Sequence, residues 1–190
     1  MIKIVQREAP VLRGVAKPVP LPNISKSKIK DIVKRMKQAL AEQQDGVAIA
    51  APQIGSPYRI FVVSKRLFAL ASSPSHENGE PLGTGKKSAV RQTDMVFINP
   101  EIIKISKKKR YMPEGCLSVR WLYGKVLRAE KAKARAYDES GKIFEMGGSG
   151  LLAQVFQHET DHLDGVLFSD KGIDLHEMPP EKRGEKREAN

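Results

Sequence analysis

The pentapeptide His-Glu-Thr-Asp-His at residues 158–162 constrains this chain more than any other segment. On a helix, positions four apart lie on one face, so His158 and His162 can bind one metal ion. Glu159 can then reach a water on that ion instead of the ion itself. The single cysteine, Cys116, lies 42 residues before His158. Its thiolate would complete a three-ligand site with an open position, which is typical of catalytic metal sites and not of structural ones.

The sequence around this motif favours a buried helix over a surface helix. Residues 150–157 are mostly apolar, and the apolar residues Leu163, Val166 and Leu167 follow the motif. Two histidines four apart can simply be hydrogen-bonded partners on a helix surface. In a buried helix, however, unpaired polar groups are costly, and a metal ion would supply their partner. We therefore predict a metal-binding helix that ends near Gly165.

Length and composition predict one soluble globular domain. A chain of 190 residues with 40% hydrophobic and 29% charged residues is long enough to bury a core. One cysteine cannot form an internal disulfide, which favours a reducing compartment. The sequence shows neither an apolar stretch of about 18 residues, as a membrane span needs, nor the apolar core of a signal peptide. We predict cytoplasmic localisation, no membrane association, and a monomer, because no apolar helix face is left over.

The net charge of +11 leaves two interpretations open. Lys131, Lys133 and Arg135 alternate with alanines, so a strand would place the three basic side chains on one face. That face is either simply solvated or attracted to a polyanion such as ribosomal RNA. No nucleic-acid recognition motif accompanies it.

The pattern along the chain predicts an α+β fold, in which mostly antiparallel sheets pack around the buried helix. An N-terminal amphipathic helix is expected over residues 25–44, with Ser25 as its N-cap. The predicted strands are 58–64, 95–98, 102–105, 126–137 and 142–145, with a hairpin turn at 138–141. Residues 71–94 are expected to be an insertion loop within one catalytic domain of residues 1–176, and residues 177–190 a polar C-terminal tail.

Three segments together resemble the peptide deformylase family. That family is marked by G-Φ-G-Φ-A-A-x-Q, where Φ is apolar, and by E-G-C-L-S and Q-H-E-x-D-H. This chain has Gly46 to Gln53, Glu114 to Ser118 and Gln157 to His162 in the same order and at similar spacing. Three linked motifs are far more specific than H-E-x-x-H alone, and the resemblance spans most of the chain.

The resemblance implies a metal-dependent enzyme that removes the formyl group from the N-terminal formylmethionine of new polypeptides and releases formate. It implies one divalent ion, with Fe(II) as the native metal and Zn, Ni or Co also able to bind. The implied ligands are Cys116, His158 and His162. Glu159 would be the general base, and the Gln53 amide and the Leu117 backbone N–H would stabilise the oxyanion.

The family also implies how substrate and metal ligands are held. The residues matched to substrate binding are Gly46, Val47, Ala48, Met112, Gly115, Leu151 and Val155, with Gln154 an unusual polar neighbour. The peptide backbone would be extended between the segments around Val47 and Gly115, like an added strand. Arg128 corresponds to a family arginine, and we predict that it pairs with Glu114. The partners would be N-formylmethionyl nascent peptides, with transient ribosome association.

Two departures from the family pattern bear on the substrate. Ala48 stands where the second glycine of the first motif is usual, which would crowd the substrate backbone by one methyl group. Arg120 and Trp121 stand where the family commonly has a proline. We interpret Trp121 as a wall of the substrate groove, with a core anchor as the alternative.

Two other functions compete with deformylation. A zinc peptidase could use the same helix, but such enzymes usually take their third ligand downstream of H-E-x-x-H, whereas Cys116 lies upstream. A non-catalytic ribosome- or RNA-binding protein could keep the metal for stability, in which case its binding would be salt-sensitive and independent of Glu159.

Overall fold

Two antiparallel sheets and three α-helices form the fold of the part of the chain that the structure describes. The computed structural model describes residues 2–72 and 93–179. The helices in those ranges are α1 (Ser27–Ala41), α2 (Lys65–Ser72) and α3 (Gly150–Leu163). The strands are β1 (Ala48–Ala50), β2 (Ile60–Val63), β3 (Met95–Ile105), β4 (Lys109–Cys116), β5 (Val119–Ala129), β6 (Lys131–Tyr137), β7 (Ile143–Ser149) and β8 (Ile173–Glu177). The α+β class is therefore confirmed.

The strands divide between a five-stranded sheet, in the order β1-β2-β3-β6-β7, and a three-stranded sheet, in the order β4-β5-β8. Every strand pair is antiparallel. β1 and β4 are therefore both edge strands of their sheets. The prediction of one strand over 126–137 was wrong, because the chain leaves one sheet after Ala129 and enters the other at Lys131.

The side chain of Gln157 on α3 holds this passage between the sheets. Its Oε1 accepts from the Ala129 backbone N–H (2.9 Å), and its Nε2 donates to the Ala129 carbonyl (3.0 Å). The amide thus satisfies both backbone groups of a residue where the regular sheet ladder is interrupted. One side chain of α3 is thereby bound to the junction of the two sheets.

α3 packs on the five-stranded sheet through an aromatic core. The Phe156 ring centroid lies 5.4 Å from that of Phe97 on β3, which stacks on Phe61 of β2 at 4.5 Å. All three rings are fully buried. A Phe156→Ala change would cost about 3–5 kcal/mol. The helix that carries residues 158–162 therefore has a rigid base.

Several predicted boundaries differ from the structure. α1 begins at Ser27 because Lys26 is extended (φ −74°, ψ 154°), so Ser25 is not its N-cap. The sequence pattern did not predict α2, which includes residues 71 and 72, the first two residues of the predicted 71–94 loop. Residues 73–92 of that loop lie outside the described residues. β3 is one strand instead of two. It passes through Asn99, whose φ of 50° accompanies an irregular register.

The chain after α3 also contains structure that was not predicted. Glu177, the first residue of the predicted tail, pairs with Leu122 in β8 and β5, and residues 180–190 lie outside the described residues. β7 runs from Ile143 to Ser149, longer than the predicted 142–145. Among the described helices, none has the length and apolarity needed to cross a membrane.

Candidate metal centre

Three side chains from two elements, β4 and α3, lie close together. Cys116 is the last residue of β4, and His158 and His162 lie one turn apart on α3. Their ligand atoms all lie within 4.8 Å of one another, and Cys116 Sγ is 3.1 Å from His162 Nε2. The sequence motifs, 42 residues apart, thus meet at one point.

The donor set fits a small divalent cation. Tetrahedral bonds of about 2.0–2.1 Å from nitrogen and about 2.3 Å from sulfur place the three ligand atoms about 3.3–3.6 Å from one another. The observed cluster, within 4.8 Å, is close to that spacing. One thiolate and two imidazoles suit Zn, Fe, Ni or Co better than the hard cations Mg or Ca.

The carboxylate of Glu114 orients His158. His158 Nδ1 lies 2.9 Å from Glu114 Oε2, and because a carboxylate only accepts, Nδ1 carries the proton and Nε2 is left for the metal. Arg128 donates to both Glu114 oxygens, from Nε (2.7 Å) and Nη2 (3.0 Å). The predicted pairing of Glu114 with Arg128 is therefore present, and both side chains are almost fully buried.

These hydrogen bonds keep Glu114 ionised. Burial raises the pKa of its carboxyl, but hydrogen bonds from His158 and Arg128 outweigh burial and lower the pKa to about 2. Arg128 also donates from Nη1 to Asp161 Oδ2 (2.6 Å), and Lys171 Nζ lies 2.7 Å from Asp161 Oδ1. The contact between Arg128 and Asp161 was not predicted. The position of Asp161 in the motif, one residue before His162, was the feature of the sequence that could have indicated it.

Glu159 is buried beside the ligands without a full set of partners. Its Oε2 and the Nδ1 atom of His162 have no hydrogen-bond partner among the described residues. Burial raises the pKa of Glu159 to about 7 against the attraction of His158 and His162. A carboxyl with a pKa near neutrality can both take and return a proton.

The protein groups alone favour a thiolate at Cys116. Burial raises the pKa of the thiol, but attraction to His162 and hydrogen bonds from both histidines outweigh it and lower the pKa to about 5. A thiolate is the form that binds a metal.

Gln53 reaches the same point from the segment after β1. Its Oε1 accepts from the Ala50 backbone N–H (2.8 Å), which fixes the amide. Its Nε2 then points at Ser118 Oγ (3.2 Å) and Cys116 Sγ (3.6 Å). Leu117 lies beside it, in the two-residue turn between β4 and β5. Gln53 is thus a pre-oriented N–H donor next to the ligand cluster.

A cavity of about 260 Å³ opens above these residues. Of the residues predicted to bind substrate or act in catalysis, its lining includes Gly46, Val47, Ala48, Gln53, Gly115, Leu117, Leu151, Val155 and Glu159. Met112 is not in the lining. It is buried on β4, and the cavity reaches along that strand only as far as Pro113. Gly115 is needed, because a Cβ there would lie 2.8 Å from the Tyr123 ring.

The rim of the cavity contains a side-chain bridge that the sequence did not predict. Arg120 Nη1 lies 2.6 Å from Asp45 Oδ2, and Nη2 donates to Gln43 Oε1 (2.5 Å). The same guanidinium lies 5.4 Å from the Trp121 ring centroid. Trp121 lines the cavity, as interpreted, from a backbone with φ of 65°, which bulky residues rarely adopt.

The chain matches one protein family over almost its whole length. The model of the family Polypeptide deformylase matches residues 1–178. The peptide deformylase of Halothermothrix orenii is 39% identical over 169 residues, which are 88% of this chain and 91% of that protein.

The fold is similar to that of solved relatives. Two structures of a class I type b peptide deformylase from Acinetobacter baumannii match it, one bound to Met-Ala-Ser and one to actinonin. Their TM-scores are 0.71 and 0.72, at 29% and 27% identity. They cover 89% and 90% of this chain, and the matches span 97% and 98% of those chains. The chain therefore belongs to the polypeptide deformylase family, and it is an enzyme that removes the N-terminal formyl group from newly made polypeptides.

Proposed function

We propose that deformylation takes place at the cluster of Cys116, His158 and His162 around one divalent ion, with α3 as the central helix of the catalytic domain. The convergence of the three ligand atoms within 4.8 Å carries this proposal. The substrate is an N-formylmethionyl peptide. In the reaction, a bond forms between water oxygen and the formyl carbon, the C–N bond breaks, and formate and a free amine leave.

A divalent cation held by Cys116, His158 and His162 would supply Lewis acidity, which would lower the pKa of water and polarise the formyl carbonyl. We propose Fe(II) as the native ion, with Zn, Ni or Co able to replace it. The thiolate of Cys116 is negatively charged and oxidisable, which makes an iron form sensitive to air.

Glu159 is the proposed general base and acid. Its unpartnered Oε2 and its raised pKa, about 7, suit a group that accepts the proton of the attacking water. The same proton is then delivered to the nitrogen of the leaving amine. Water's second hydrogen leaves as the O–H proton of formic acid, which dissociates to formate at neutral pH, so the protons balance.

The Gln53 amide and the Leu117 backbone N–H are proposed to stabilise the oxyanion that forms on the formyl oxygen. Gln53 is held by the Ala50 N–H and is almost fully buried, so it needs little reorganisation when charge develops. A donor of this kind contributes about 3 kcal/mol to lowering the barrier.

The peptide backbone of the substrate is proposed to lie between the two sheets. β1 and β4 are edge strands, and both border the cavity, through Ala48 and through Pro113 to Cys116. An extended peptide can add to both edges as a strand. The methionine side chain then enters the part of the cavity lined by Val47, Leu151 and Val155.

We further propose a cytoplasmic monomer with one catalytic domain, which extends past the predicted end at residue 176 to include Glu177 of β8, and with transient ribosome contact. The support for ribosome contact is the face of β6. Ala132, Ala134 and Ala136 are buried, while Lys131 and Arg135 are exposed on the opposite face. Basic side chains on one exposed face favour polyanions.

Formate release from formyl-Met-Ala tests the proposal. The protein is purified without air, its metal content is measured, and wild type is compared with Glu159→Ala. We expect formate from wild type only, with metal in both. Cleavage of internal peptide bonds would instead indicate a peptidase, and salt-sensitive RNA binding unaffected by Glu159→Ala would indicate a non-catalytic protein.

A further inference from the structure

The part of the α3 wall that precedes His158 and Glu159 carries one polar side chain among apolar ones. Leu151, Gln154 and Val155 lie one to two turns before His158 on the same face, and all three line the cavity. Gln154 is 7% exposed. At such burial a polar atom is costly unless it has a hydrogen-bond partner.

Hydrogen bonds fix the orientation of the Gln154 amide. Its Nε2 donates to the Pro113 carbonyl (2.7 Å) and to Glu114 Oε1 (3.2 Å). A carbonyl and a carboxylate bound by Arg128 only accept, so the amide must turn its two N–H groups towards them. The reverse orientation would bring three acceptor oxygens together. Gln154 Oε1 therefore points away from these acceptors of β4, and among the described residues it has no hydrogen-bond partner.

This oxygen places an acceptor on an otherwise apolar wall. A thioether or alkyl side chain that fills the cavity displaces water from Oε1 and offers no donor in exchange. A side chain with an N–H group restores the hydrogen bond. The cost of leaving a buried acceptor unpaired exceeds the gain from an average hydrogen bond, so the difference between the two ligands is large.

The charges around the wall favour a neutral donor. The carboxylate of Glu114 is already bound by Arg128 and His158, and Asp45 at the rim is bound by Arg120. A cationic side chain beside Gln154 would therefore lose its hydration without gaining an unpaired carboxylate from Glu114 or Asp45, and the unpaired Oε2 of Glu159 is buried beside the proposed metal ligands. Glutamine is neutral, nearly matches methionine in length and shape, and ends in an N–H donor.

We propose that Gln154 is a specificity-determining residue whose Oε1 accepts a hydrogen bond from the first side chain of the substrate. The cavity then takes N-formyl peptides that begin with glutamine in addition to those that begin with methionine. This inference rests on the proposed function, because it requires the first side chain to enter this cavity.

Ligand affinities of the metal-loaded enzyme test the role of Gln154. The probes are Met-Ala-Ser, norleucine-Ala-Ser and Gln-Ala-Ser, with binding followed by calorimetry and metal content measured for each sample. Gln154→Met replaces the amide by an unbranched apolar chain. We expect it to lower the affinity for Gln-Ala-Ser relative to norleucine-Ala-Ser about tenfold, the size of one hydrogen bond to an otherwise unpaired acceptor. Comparing two ligands cancels any change at Glu114 or the metal, since both contact these equally.

A matched variant and an activity measurement separate the outcomes. Leu151→Met alters the same wall without removing an acceptor, so the glutamine-to-norleucine ratio should stay at the wild-type value. The ratio of kcat/KM for formyl-Gln-Ala to formyl-norleucine-Ala should follow the binding ratio. If Gln154→Met leaves both ratios unchanged while wild type deformylates formyl-Met-Ala, the inference is wrong and the proposed function stands. If wild type releases no formate from formyl-Met-Ala, the proposed function fails and this inference fails with it.

Discussion

The two sides of the metal centre are built in opposite ways. On the side of His158, each nitrogen of the Arg128 guanidinium and both oxygens of Glu114 have hydrogen-bond partners. On the other side, Glu159 Oε2 and His162 Nδ1 are buried with no partner in the described parts of the chain. The proposed ligand His158 and the groups that orient it are satisfied by protein, whereas the proposed base Glu159 and the second histidine, His162, each keep an unpaired polar atom. Stability and chemistry are therefore separable by mutation.

The largest expected effect is on the reactive side. Glu159→Gln keeps the shape of the side chain but removes the base, so kcat/KM for formyl-Met-Ala should fall about 10³- to 10⁴-fold. Metal content and thermal stability should stay close to wild type. The matched control is Glu145→Gln, which makes the same change on an exposed strand. If the activity of Glu159→Gln stays within tenfold of wild type, Glu159 is not the base, and the proposed division between a holding side and a reactive side is wrong.

The holding side should show the opposite result. Arg128→Met leaves the buried Glu114 without its cation, while Asp161 keeps Lys171, and this should lower the free energy of unfolding by about 3–5 kcal/mol. Metal affinity should fall about 10- to 100-fold, because Glu114 then orients His158 less well. Denaturation and metal competition measure the two effects. Arg135→Met, at an exposed pair with Glu145, is the control, and equal losses in both variants would refute the role of burial.

Gln53 lies between the two sides, since its amide is held by Ala50 but is aimed at the reacting centre. Gln53→Leu removes the proposed oxyanion donor and should lower kcat about 10²- to 10³-fold. KM should change little, because the donor acts on charge that appears only in the transition state. A change confined to KM, measured by initial rates, would show that Gln53 only binds the ground state.

The acid side of the pH profile sharpens the comparison further. Burial raises the pKa of Glu159 to about 7, and only the deprotonated form accepts a proton. Below its pKa, kcat/KM should therefore fall about tenfold for each unit of decreasing pH. A bound divalent ion adds positive charge and moves this limb below 7. A rate that stays flat from pH 7 to pH 4 would exclude Glu159 as the base.

The smallest effect is expected at the exposed ion pairs. Lys133 and Arg135 both contact Glu145 on the five-stranded sheet, with side chains 35–45% exposed. Exposed pairs of this kind typically contribute about 0–1 kcal/mol. Glu145→Gln should thus change the unfolding free energy by less than about 1 kcal/mol in denaturant titrations. A loss as large as that of Arg128→Met would remove the contrast between buried and exposed charges.

The motif-bearing parts of the molecule were the most predictable from sequence. Spacing alone indicated that His158 and His162 share a helix face, the single cysteine, Cys116, indicated the third ligand, and the family pattern indicated the Glu114–Arg128 pair. Local sequence could not show that the chain changes sheets at Glu130, because residues on both sides alternate like one strand. Sheet membership is decided by partners distant in sequence.

Contacts without a sequence pattern were missed for the same reason. The Arg120–Asp45 bridge joins residues 75 positions apart, and neither belongs to a recognisable motif. The family resemblance assigned Met112 to the cavity, but only the end of β4, from Pro113 onward, borders the cavity. The left-handed backbone at Trp121 could not be predicted, since such a conformation in a bulky residue is held by surroundings, including a hydrogen bond from Met178 N–H to its carbonyl (2.8 Å).

The Gln157 amide has a consequence for how the enzyme opens. It binds both backbone groups of Ala129, so the ligand-bearing helix cannot detach without freeing the strand crossover. Local opening and global unfolding should then coincide here, and exchange of the Ala129 amide hydrogen with deuterium should be as slow as that of the α3 interior. This coupling would keep the histidine-bearing helix in place around the proposed divalent ion from one turnover to the next.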